Sequence, residues 1–66
     1  MPQAVSDFFR NYPKADTALQ RLGDNYDRYD KGKGKVETFK FHQLDVKLPA
    51  LVKSGRKVGI IDVVKP

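Results

Sequence analysis

The chain has no cysteine and a single histidine, His42, so neither disulfides nor a structural zinc site can hold it together. It is also short, at 66 residues. A domain of that size buries only about 60% of the surface its unfolded chain exposes. Small scaffolds usually recruit a staple or a second chain. Here efficient packing or a partner is expected to supply the stability, and the whole of 1–66 is expected to form one domain. The missing cysteines fit the cytoplasm, the expected compartment. No apolar run approaches the ~20 residues needed to span a bilayer. The start, MPQAVSDFFRNYP, has no cationic stretch followed by an apolar one, so no signal peptide is expected.

Apolar spacing then predicts the elements. Val5, Phe8, Phe9 and Tyr12 fall on one helical face, and Pro13 disfavours helical geometry at Tyr12, so the helix is expected to end or bend there. Ala15, Ala18, Leu19, Leu22, Tyr26 and Tyr29 repeat at helical spacing and predict a second helix over 14–30, with Gly23 as a costly interior glycine. Lys31-Gly32-Lys33-Gly34-Lys35 reads as a linker at 31–35 that ends this helix. The remainder, 36–66, is basic and strand-rich. Val36 to Phe41 reads as a strand with Phe39 and Phe41 on one face. Residues 43–54 read as a strand, a short helix or one after the other, closed by Ser54-Gly55. Val58 to Val64 is almost continuously apolar and β-branched, and is expected to be the most buried strand. The predicted fold is α+β. Two N-terminal helices pack on one face of a small, mainly antiparallel sheet of two to three strands. The expected core is Phe8, Phe9, Leu19, Leu22, Tyr26, Phe39, Phe41, Leu44, Leu51, Val58, Ile60, Ile61 and Val63.

Charge is the main functional signal. The formal net charge is +5, and it is uneven. Residues 1–30 hold four basic and five acidic side chains, whereas residues 31–66 hold nine basic and three acidic ones. A basic half on a small domain is the electrostatic footprint of a polyanion binder. Lys31, Lys33, Lys35, Lys40, Lys53, Arg56 and Lys57 are the candidate nucleic-acid-binding residues, acting through phosphate contacts that carry no sequence information. Convergence of the basic side chains from Lys31 to Lys65 on one face would favour nucleic acid. Scatter would favour a protein partner.

On the expected second helix, Lys14, Arg21 and Arg28 form one stripe, and Asp24 and Asp27 lie on the opposite flank. These five are the candidate partner-binding residues, for a protein partner or a second copy of the chain. Phe39 and Phe41 flank Lys40, as rings that stack on single-stranded nucleic acid can, although core packing also explains them. A small ribonuclease-like enzyme using His42 with lysines is a third class. Asp62 is expected to face solvent or to meet a lysine across the sheet, and not to act as a catalytic acid, since no second carboxylate or nucleophile accompanies it. No metal or cofactor is expected. Gly32-Lys33-Gly34-Lys35 lacks the P-loop frame, and 24–30 lacks the ligand frame of a calcium loop. The reading is a non-enzymatic binding protein, with nucleic acid as first partner; the alternative is a protein-interaction module (an inhibitor, adaptor or assembly subunit) using the charge-segregated helix 14–30 or a sheet edge.

Overall fold

The computed structural model describes residues 1–62. Helix α1 (Gln3–Asn11) precedes strands β1 (Thr17–Leu22), β2 (Asn25–Asp30) and β3 (Gly34–Lys40). A 3-10 turn at Phe41–Gln43 leads into helix α2 (Leu44–Lys53), and β4 (Val58–Ile61) follows. The class is α+β as expected, but the sheet has four strands in the order β3-β2-β1-β4. The β1/β2 and β2/β3 pairs are antiparallel, and β1/β4 is parallel. The sheet is therefore mixed. One helix stands before it, and the other crosses over between β3 and β4.

The largest departure is at 14–30, where the expected helix is a β-hairpin. Gly23 adopts φ 61°, in the left-handed region that glycine reaches without penalty. Leu22 pairs with Asn25 across Gly23-Asp24. A two-residue hairpin loop with glycine first is a favoured connection. Ala18 and Leu19, adjacent on β1, are both fully buried. They face opposite sides of the sheet, because successive strand residues alternate.

That alternation separates two cores. Val5, Phe9, Ala15, Ala18 and Tyr29 form one cluster, with Phe8 and Ile61 packed against it. Leu19, Tyr26, Phe39 and Leu51 form the other, joined by Leu44, Leu48 and Val58. So α1 covers one face and α2 the other, and the sheet is sandwiched between helices that were expected on a single face.

Helix α1 ends at Asn11 before Tyr12-Pro13, as its proline predicts. Segment 44–53 resolves as helix even with Pro49 inside it, because Leu44, Leu48 and Leu51 present one apolar stripe to the sheet. Its end is a Schellman motif. The Arg56 amide donates to the Leu51 carbonyl at 3.3 Å and the Gly55 amide to that of Val52 at 3.0 Å, with Gly55 at φ 88°.

Strand β4 is an edge strand, not the most buried one. Ile60 lies exposed on it, as do Leu22 at the hairpin turn and Phe41 in the 3-10 turn. These three therefore leave the expected core. Val63, and the expected extension of this strand to Val64, lie outside the described residues. Among the described residues, no helix is long and apolar enough to cross a membrane.

Of the five glycines, Gly59 alone has no room for a Cβ. A Cβ there would lie 2.0 Å from Cζ of Phe8. Gly59→Ala is therefore expected to cost about 1–3 kcal/mol through overpacking. Thermal melts of a double-mutant cycle should show a smaller cost in a Phe8→Leu background. An equal cost in both backgrounds would contradict this packing.

Candidate nucleic-acid interface

Strand direction decides where the charges go. β1 begins at Thr17, which pairs with Asp30 at the end of β2 and with Val58 at the start of β4. β3 begins beside Asp30, and α2, which follows β3, ends next to β4. The loops 12–16, 31–33 and 54–57 therefore meet at one end of the sheet, here called the basal end. Backbone hydrogen bonds stitch them together. The Lys31 amide donates to the Asp16 carbonyl at 2.9 Å, and the Asp16 amide donates to the Lys57 carbonyl at 2.8 Å. The Lys57 amide donates to the Asp16 carboxylate at 2.9 Å. Lys31 Nζ donates to the carbonyl of Pro13.

Lys31, Lys33, Lys35, Lys53, Arg56 and Lys57 all lie at this end, and Lys14 joins them. Six of these seven are exposed, and Arg56 is half-buried. Among the described residues none of the seven makes an ion pair within 4.0 Å. Both helices also end here, and cations suit the negative ends of their dipoles. Gly32 and Gly34, at φ 81° and 78°, let the chain reverse tightly between β2 and β3 and hold Lys31, Lys33 and Lys35 close together.

Lys40 does not belong to this group. It ends β3 at the opposite end of the sheet, with Arg21, Asp24, Asp45 and Asp62. Cations and carboxylates are mixed there. His42 lies at that end too, exposed in the 3-10 turn and 6.2 Å from the Phe41 ring, away from the lysine group. Asp62 is exposed as expected. Phe39 is buried, so it cannot stack on a base. Phe41 is exposed but sits under Arg21, 4.8 Å from its guanidinium carbon. Lys65 lies outside the described residues.

The five expected partner-binding residues do not form a surface. Lys14 is in the α1–β1 loop, Arg21 is at the far end of β1, and Asp24 is in the hairpin turn. Asp27 is buried and accepts a 2.7 Å hydrogen bond from Thr38. Arg28 points into a partly buried charge network. Its guanidinium meets Asp30 at 3.0 Å and Glu37 at 2.9 Å. Lys47 of α2 meets Glu37 at 3.1 Å, and the Thr17 hydroxyl donates to Asp30 at 2.8 Å.

Burial alone would raise the pKa of Asp30. Hydrogen bonds from Arg28 and Thr17, with the charges of Arg28 and Arg56, outweigh it and lower the value. Glu37 is lowered first by its hydrogen bond from Arg28, against burial, and further by Lys47. For Arg28, burial works against the charged form, but its bonds to Asp30 and Glu37 prevail and keep it charged.

Beside the basal end, on the α1 face, lies an open groove of about 540 Å³ with Phe8, Tyr12 and Gly59 in its walls. Sequence reasoning missed this groove. It also missed Lys14 as a member of the basic group. The usable signal was Gly23-Asp24: a hairpin there returns Lys14 and Lys31 to the same end, whereas a helix over 14–30 would hold them about 25 Å apart. Among the described residues, no group of three or more His, Cys, Asp or Glu side chains is placed to hold a metal ion.

The charge network yields a stability prediction. Carboxylates with lowered folded-state pKa contribute fully above their unfolded values, about 3.9 for Asp and 4.3 for Glu. That contribution is lost as pH falls through the folded values. Arg28→Met is expected to cost about 3–5 kcal/mol at neutral pH, because it leaves Asp30 buried without its partner. Denaturant titrations should show the gap from the parent chain narrowing as pH falls below about 4. A gap that does not change with pH would contradict the assignment.

No family model, curated protein or solved structure matches this chain.

Proposed function

We propose that the chain is a non-enzymatic nucleic-acid-binding protein that grips the phosphate backbone with its basal end. The observation that carries this reading is the gathering of Lys14, Lys31, Lys33, Lys35, Lys53, Arg56 and Lys57 at one end of the sheet. Asp30 and Glu37, the acidic side chains nearest in the sheet, are engaged by Arg28 and Lys47. Asp16 is turned to the Lys57 amide. The field of the seven cations is thus weakly opposed, and clustered unopposed charge is what backbone binding requires.

Contacts of this kind position a nucleic acid without reading its sequence. A catalytic reading has less support. His42 stands at the far end, and Lys40 is the one lysine of the original candidates near it in the chain. A protein-interaction surface built on 14–30 has lost its basis, since those residues are divided among a loop, two strands and a turn.

Fluorescence anisotropy against labelled oligonucleotides over a salt series tests the reading. Four to six phosphate contacts predict a log–log salt slope of about 4 to 5 in magnitude on duplex. Lys33→Gln, Arg56→Gln and Lys57→Gln should each lower the slope by about 1, and Lys40→Gln should leave it unchanged. Absence of binding at low salt, or an equal effect from Lys40→Gln, would overturn the proposal.

A further inference from the structure

We infer that the strand held at the basal end is single, with one unpaired base seated in the groove against Tyr12. This inference rests on the phosphate-binding reading and adds the class of nucleic acid. Cations alone do not distinguish duplex from single strand, since both present phosphates. The groove beside them makes the distinction. Its volume falls in the range of about 300–1,000 Å³ usual for small-ligand sites, and its rim carries Lys14 and Lys57, two members of the basic group.

Tyr12 is 61% exposed, an unusual state for an aromatic ring in a chain with little apolar surface to spare. Its ring rests against Phe8 at 5.1 Å between centroids, tilted by 36°. Phe8 in turn is seated on the bare backbone of Gly59, where any Cβ would collide with it. The aromatic wall is therefore supported from below. Asn11, also in the groove wall, offers an amide with both donors and an acceptor for a base edge.

An exposed ring beside lysines is the arrangement that stacks on bases of single strands, where every base has a free π-face. In a duplex those faces are occupied by neighbouring base pairs. Lys14 and Lys57, which line the same groove, would then meet the phosphates that flank the stacked nucleotide.

The test uses four labelled probes, each about twelve nucleotides long: an oligothymidylate, an oligouridylate, a duplex, and a strand of abasic phosphodiester units. Anisotropy is read at about 50 mM salt. Tyr12→Ala is expected to weaken binding of the two base-bearing single strands by about 5- to 100-fold. It should leave the duplex, the abasic strand and the salt slope unchanged. Tyr12→Trp should restore affinity. Its indole would be the sole tryptophan in the chain, and its fluorescence should be quenched by the base-bearing single strands and not by the abasic one.

If Tyr12→Ala has no effect on any probe, or weakens the abasic strand equally, the stacking site is overturned while phosphate binding stands. If the parent chain binds none of the four probes, both readings fall.

Discussion

The partly buried polar chain Thr17–Asp30–Arg28–Glu37–Lys47 is the constraint on which the rest of this structure depends. It runs from β1 through β2 and β3 to α2, so four elements are tied by one set of charges. Taking such groups from water is costly unless each is paired and hydrogen-bonded, and here each carboxylate receives at least two donors. The network has a second consequence. It draws Asp30 and Glu37 inward, where Arg28 and Lys47 neutralise them. The exposed lysines of the same end are then left to act on solvent and on whatever binds there.

The parts of the fold that local chemistry decides were legible in the sequence. Pro13 ends α1, Ser54-Gly55 closes α2, and Phe39 anchors β3 in the core. The 14–30 segment misled because its apolar residues satisfy helical spacing, while β1 shows no alternation of its own. Ala18 is buried against α1 and Leu19 against α2, so both faces of β1 are apolar where it counts. The polar residues of the hairpin gave no contrary signal either. Gln20, Asp27 and Asp30 are buried, Asp27 and Asp30 through side-chain hydrogen bonds made across strands. Only the Gly23-Asp24 pair carried the turn in its chemistry.

The candidate site was legible as a list of residues but not as a place. Lys31, Lys33, Lys35, Arg56 and Lys57 could be named from their glycine-containing loops. Their convergence could not, because it depends on β1 and β4 running parallel and on the hairpin returning the chain to its start. Lys40 shows the converse. It is as basic and exposed as the others, and it sits two residues beyond Thr38 on the same strand as Lys35. The length of β3 alone carries it to the opposite end.

Among the described residues charge is therefore sorted along the strand direction, with weakly opposed cations at the basal end and a mixed population at the other. Mapping the bound surface tests that account most directly. Amide proton–nitrogen correlation spectra recorded during titration with a short single-stranded oligonucleotide should show shifts at Tyr12 and Lys14, Lys31 to Lys35 and Lys53 to Gly59. Signals from Arg21 to Asn25 and from Lys40 to Asp45 should stay in place. Shifts centred on Arg21, Lys40 and Phe41, or spread evenly over the chain, would contradict it.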